Sequence, residues 1–250
     1  MLKIFRRIRQ GLITRNRVGD YILYAIGEIV LLIIGVFIAL QINNLNEERK
    51  SANEGKKYIA EIYDDLSNDV ILLNEIEERL LEQYSCSEDI LRIYDSPDHF
   101  IEDTVAFSHN WSVSSWPLVI DRIENTFYEL ETSGQSAIIR DDLLDNQLHQ
   151  FYHKYDSRVS NFNEYPKWVR LEKRKLSYKS GTLDDYLFQK ANKVETSNFI
   201  NEVLNNELNY QLLLGIIKSC DYNIGFFEEL SKEAKSIISY IEENYPEVID

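Results

Sequence analysis

Apolar residues follow two different patterns along this chain. From Tyr21 to Leu40 they are continuous: YILYAIGEIVLLIIGVFIAL contains no Lys, Arg, Asp, Asn, Gln or Pro, and Glu28 is its one acidic residue. An α-helix rises 1.5 Å per residue, so this stretch covers about 30 Å, the thickness of a bilayer's hydrocarbon core. Lipid offers the backbone no water to bond, so a lone apolar segment must cross as a helix. Polarity flips at Gln41-Ile42-Asn43-Asn44, and neither Pro nor Gly occurs again before Gly55. The helix is predicted to run straight on out of the membrane.

Beyond Lys57 the pattern becomes periodic. Ile59, Ile62, Leu66, Leu73, Ile76, Leu80, Tyr84, Leu91 and Tyr94 recur in steps that place them on one helix face. Asp64, Asp65, Glu75, Glu77, Glu78 and Glu82 make the opposite face acidic. Ser96-Pro97 ends the run, because the residue before Pro disfavours helical geometry. The Ser-rich segment from Phe107 to Trp116 predicts a packed loop. Pro117 suits the first turn of a helix carrying Ile120, Ile123, Phe127 and Leu130, with Gly134 as its left-handed C-cap.

The next helix is expected from near Ile139, with Asp141 and Asp142 in its first turn and Leu144, Leu148, Phe151 and Tyr155 on its buried side. Pro166 is expected to interrupt or kink it. A short helix is read over 183–192, and Thr196 or Ser197 is placed to cap the one after it. A last amphipathic run, from about Asn206 to Glu243, carries Leu208, Leu212, Ile216, Cys220, Phe227, Leu230, Ile237 and Ile241. The fold class is therefore all-α: one N-terminal transmembrane helix continuing into an extracytoplasmic antiparallel bundle of four main helices. Residues 1–20 read as a basic cytoplasmic tail, 21–42 as the transmembrane helix and 43–250 as the extracytoplasmic domain.

Charge gives that topology its direction. Residues 1–20 carry six bases and one acid, a net +5, whereas residues 43–250 carry 21 bases and 40 acids, a net −19. Lys and Arg beside a span stay on the cytoplasmic side, so the N-terminus is expected inside and the domain outside, in the periplasm across the inner membrane. The segment 2–10, LKIFRRIRQ, reads as a short amphipathic helix on the inner leaflet or as a plain topogenic tail. The apolar core is longer than that of a cleaved signal peptide, and bulky residues at Ile38 to Ile42 leave no small-x-small cleavage site, so an uncleaved signal-anchor is expected. A net −19 domain repels phosphates, which argues against nucleic acid as a partner. Nine Gly and four Pro in 250 residues are too few turn formers for an all-β fold.

Two stretches resemble a known family. Tyr24-Ala-Ile-Gly-Glu28-Ile with Gln41-Ile-Asn-Asn44 and Glu48-Arg-Lys50 is the first, and Tyr128-Glu-Leu130-Glu-Thr-Ser133-Gly134 with Ile139 and Leu143 or Leu144 is the second. Together, across residues 1–60 and 120–155, they resemble an uncharacterised Bacteroidota membrane-protein family, a domain of unknown function of the DUF6090 type. The resemblance implies a one-span membrane protein with a helical extracytoplasmic domain and no assigned activity.

Chemistry-bearing patterns are sparse. The chain has no Gly-rich phosphate loop, G-x-S-x-G elbow, H-E-x-x-H or CxxC. Asp145, His149 and His153 share a helix face at the spacing of a divalent-metal pair, with His99 and His109 as conceivable additions; a solvated face is the plainer reading. Asp141-Asp142 as catalytic acids, Trp111 and Trp116 as a ligand wall, and Lys173-Arg174-Lys175 as an anion site are each outweighed by a structural role. Cys86 and Cys220 form either one disulfide or two buried free thiols.

Glu28 stands apart. A carboxyl in hydrocarbon is costly and marks a functional position by default; snorkelling or protonation is the alternative. Gly35 and Ala39 form a small-xxx-small pair, with Gly27 eight residues before Gly35 on the same face. Gly27, Glu28, Gly35 and Ala39 are thus the candidate surface for self-association or for binding another membrane protein. No catalytic residue, cofactor or metal site is expected. The functional expectation is a non-enzymatic, membrane-anchored interaction or sensor-like module, with a ligand-sensing bundle and a metal-dependent hydrolase as rivals.

Overall fold

The computed structural model describes residues 18–96, 104–114, 118, 120, 125–179 and 200–249. All regular structure among these residues is helical. Helix α1 runs Val18–Asp95, α2 Thr104–Val113, α3 Thr126–Ser133 and α4 Asp142–Lys179. A helical turn at 200–204 precedes α5, Glu207–Asn244. Short 3-10 turns lie at Ser136–Ile138 and Pro246–Val248.

Contacts divide the chain into two compact units, residues 1–55 and 56–250. In the first unit the described residues form one stretch of α1. In the second, three long helices surround a common core. Tyr63 bonds Glu242, Asn74 accepts from Ser231, and Cys220 reaches Gln83, so α5 runs antiparallel to this part of α1. Lys154 pairs with Glu229 and Glu233, and Tyr245 reaches back to Asp141, so α5 is antiparallel to α4 as well. Consequently α1 and α4 are parallel to each other, and they meet where Tyr152 bonds Asp69.

The main core is built by the predicted stripes. Ile59, Ile62, Leu66 and Leu73 from α1, Leu144, Leu148 and Phe151 from α4, and Phe227, Leu230 and Ile241 from α5 are at most 1% exposed. Phe127 and Leu130 of α3 close the cluster beside α4. Truncating a ring as fully buried as Phe227 to Ala costs roughly 3–5 kcal/mol in such cores. A second cluster joins Ile90 and Leu91 of α1, Phe107 and Trp111 of α2, Ile200, Val203 and Leu204, and Leu213 of α5.

Local chemistry fixes the helix ends. Asn125 caps α3 by accepting from the Tyr128 N–H at 2.9 Å, and Gly134 closes it in a left-handed conformation with φ 69°. Asn206 caps α5 by accepting from the Leu208 N–H at 3.0 Å.

Several expectations are corrected. Phe107 belongs to a helix, because Phe107 and Trp111, one turn apart, both bury against Ile90 and Leu213. Helix α3 starts at Thr126, since Asn125 is its cap, so Ile120 is not on it; Leu118 and Ile120 are buried without being helical. Among the described residues three of the bundle's four main helices are long and α3 is short. Pro166 does not interrupt α4, which continues to Lys179. Leu208 is 46% exposed, because it sits in the first turn of α5, outside the packed stripe. The readings made on residues 2–10, Pro117, Ile123, 183–192 and Thr196 or Ser197 lie outside the described residues, as do His99 and Trp116.

Candidate functional site

Solvent exposure sets residues 29–40 apart. Every residue of that stretch is exposed, although all but Gly35 and Ala39 are bulky and apolar. Leu31 is 69% exposed and Phe37 63%. Monomeric soluble proteins rarely present a contiguous apolar surface of this kind. The helix is long and apolar enough to cross a membrane, with an 18-residue window of mean hydropathy 2.5 and none of that window buried.

Gly27, Glu28, Gly35 and Ala39 all lie on this helix. Gly27, Gly35 and Ala39 are exposed and Glu28 is half-buried. A Cβ built on Gly27 or Gly35 meets no heavy atom within 4 Å, so neither glycine is needed for packing within the chain. Both leave the backbone open to close approach from outside.

The histidine face of α4 has a defined setting. His149 turns one ring nitrogen toward Asp145 at 3.7 Å and the other toward Glu131 of α3 at 3.6 Å. Its ring packs edge-on to Phe127, centroids 4.8 Å apart. A cavity of about 490 Å³ opens beside it, lined by Phe127, Tyr128, Glu131, His149, Tyr152 and His153, among others. Tyr128 donates its hydroxyl hydrogen bond to Asp156 at the rim of that cavity. Among the described residues no three His, Cys, Asp or Glu side chains gather in a way that could hold a metal ion. His109 is exposed on α2, away from any such gathering.

The remaining candidates resolve into structural roles. Asp141 caps α4 through the N–H groups of Leu143 and Leu144, each 3.0 Å away, and Asp142 begins the helix. Trp111 is 5% exposed inside the second core cluster. Lys175 pairs with Glu172 at 2.6 Å along the same helix, while the side chains of Lys173 and Arg174 lie outside the described ones. Cys86 and Cys220 are both free and buried. Burial pushes the Cys220 thiol up to about 12, and burial followed by the charges of Glu82 and Asp89 raises Cys86.

Two features gave no sequence signal. Asp69 is buried at 4% exposure on the stripe side of α1, where an apolar residue would be expected, and its carboxylate faces Tyr152 at 3.4 Å. Arg158 and Lys218 are brought together across α4 and α5 only by the fold.

Residues 28–116 match the model of a family of unknown function (DUF6090). The matched segment includes Glu28, Gln41 to Asn44 and Glu48 to Lys50, and stops short of the second resembling stretch at Tyr128 to Gly134. No curated protein and no solved structure matches the chain.

Proposed function

We propose that this chain, which carries the segment of that uncharacterised family, is a single-pass membrane protein working as a non-enzymatic interaction module. In this reading Tyr21 to Leu40 span the inner membrane, the +5 tail stays in the cytoplasm, and the −19 helical domain stands in the periplasm. The supporting observation is the uninterrupted exposure of apolar side chains from Ile29 to Leu40. Such a surface is stable only when something apolar covers it, and a bilayer matches both its length and its composition.

The span does more than hold the domain at the membrane. Gly27, Gly35 and Ala39 let a second helix approach closely, and Glu28 donates or accepts a hydrogen bond across that contact. The partner is a second copy or another one-span protein. In-membrane cross-linking of the full chain tests this. Gly35→Leu and Glu28→Leu should each reduce the cross-linked species; if both leave it unchanged, the span is an anchor only.

A ligand-sensing bundle is the second reading, favoured by the cavity beside Phe127 and His149. A metal-dependent hydrolase draws no comparable support, since His149 engages two carboxylates at more than 3.5 Å rather than a converging ligand set.

A further inference from the structure

Antiparallel packing of α4 and α5 puts Arg158, Asn161 and Phe162 opposite Lys218, Ser219, Tyr222 and Asn223, around a cavity of about 350 Å³. We propose that this cavity binds a small anion, a carboxylate or phosphate group, between the Arg158 guanidinium and the Lys218 ammonium. The inference does not depend on how the membrane span associates.

The lining is the first argument. It holds two cations, two amides and two hydroxyls, and no carboxylate, although residues 43–250 carry 40 acids against 21 bases. Neighbouring and distal bases of the bundle include several matched by acids. Lys154, one turn before Arg158, lies 2.7 Å from Glu229 and 2.6 Å from Glu233. Lys56 meets Glu247 at 2.7 Å. Among the described residues, by contrast, neither Arg158 nor Lys218 has a carboxylate within ion-pairing distance. Glu229 feels the Arg158 charge, but its hydrogen bond goes to Lys154.

Preorganisation is the second argument. The guanidinium lies over the Phe226 ring at 4.8 Å and the Tyr222 ring at 5.8 Å, and donates to the Tyr222 hydroxyl. That uses one of its five N–H donors and fixes the plane of the rest. A rigid fork of this kind matches a carboxylate or phosphate edge-on. The Asn223 amide donates to the Ser219 carbonyl at 2.6 Å and to the Ser219 hydroxyl oxygen at 3.3 Å, which orders that part of the rim. Phe162 and the Tyr222 ring supply apolar walls for the rest of the ligand.

A cation is repelled here, and the cavity is too small for a nucleic acid strand in so acidic a domain. The same anionic group is offered by a soluble metabolite-sized ligand or by a lipid headgroup, and the test separates them.

The full chain in phosphatidylcholine nanodiscs is titrated calorimetrically with glycerol phosphate and with citrate. In parallel, protein in nanodiscs containing phosphatidylglycerol is compared with protein in phosphatidylcholine alone for thermal stabilisation. Binding in the first arm identifies a soluble anion; stabilisation confined to the second identifies a headgroup. In either arm Arg158→Gln should weaken binding by about tenfold or more, the scale of one lost charge-assisted contact. Lys218→Gln, at an exposed position that cannot unsettle the core, should weaken it several-fold. The proposal is overturned if no anion binds in either arm, or if binding is the same in wild type, Lys218→Gln and a folded Arg158→Gln.

Discussion

Tyr245 donates its hydroxyl hydrogen bond to Asp141 at 2.7 Å, tying the end of α5 to the start of α4 across 104 residues of sequence. Tyr240 donates to the same carboxylate oxygen at 2.9 Å, while the other oxygen accepts the first free N–H groups of α4. One side chain thus caps a helix and closes the end of the bundle.

Replacing Asp141 should therefore cost more than an ordinary cap. Asp141→Ala removes the cap and two buried-edge hydrogen bonds, an expected loss of about 2–3 kcal/mol in chemical denaturation. Burial pushes this carboxyl up, but bonds from Leu144, Tyr245, Tyr240 and Leu143 outweigh it and hold it below its usual 3.8. Its contribution is present above the unfolded pKa and fades as pH falls through the depressed folded value. The stability gap between wild type and Asp141→Asn should accordingly narrow on acidification. A gap that stays constant with pH would contradict the role of the charge.

Asp69 should behave in the opposite sense. Burial among the helices, offset in part by the Tyr152 hydroxyl, raises its carboxyl from 3.8 to about 6. The folded state then holds a proton that the unfolded state has released, so stability falls as pH rises from about 4 to about 6. Above that window the charged form carries its full penalty. Asp69→Asn keeps the shape without the charge and should stabilise the domain at pH 7 by about 1–3 kcal/mol, with no gain at pH 4. Equal stability of the two proteins at pH 7 would show that water or a counter-charge already relieves Asp69.

These two aspartates illustrate what the sequence discloses. Long stripes such as Ile59-Ile62-Leu66 and Leu144-Leu148-Phe151 are legible because helical period alone decides which face is buried. Gly134 is legible because few residues accept its left-handed geometry. Helix α2 was not, since its Ser, His and Asn residues mask a stripe of only Phe107 and Trp111, which acquires meaning from Ile90 and Leu213. Leu208 misled because apolar identity does not guarantee burial in a first helical turn. The long apolar helix could be read directly, because an unbroken apolar run of that length is visible without any tertiary partner. Pairings such as Asp69 with Tyr152 or Arg158 with Lys218 could not, because they join residues 60 or more positions apart through the packing of three helices.

The thiols offer an independent check on that packing. Cys86 and Cys220 are buried and unbonded, and the Cys220 thiol donates to the Gln83 side-chain oxygen at 3.9 Å. Reduction should leave gel mobility unchanged. A maleimide should label both residues slowly in the folded protein at pH 8 and rapidly in denaturant, because burial suppresses the thiolate. A mobility shift on reduction that disappears in Cys86→Ser would place a disulfide where the structure has none.

The account rests on Tyr21 to Leu40 spanning a bilayer with the helical domain outside the cytoplasm. Alkaline phosphatase fused after Asp250 reports that directly, since the enzyme is active only outside the cytoplasm. The fusion should be active and should remain with the membrane fraction through alkaline carbonate extraction. An inactive but well-expressed fusion, or an active one released from the membrane by carbonate, would contradict the account.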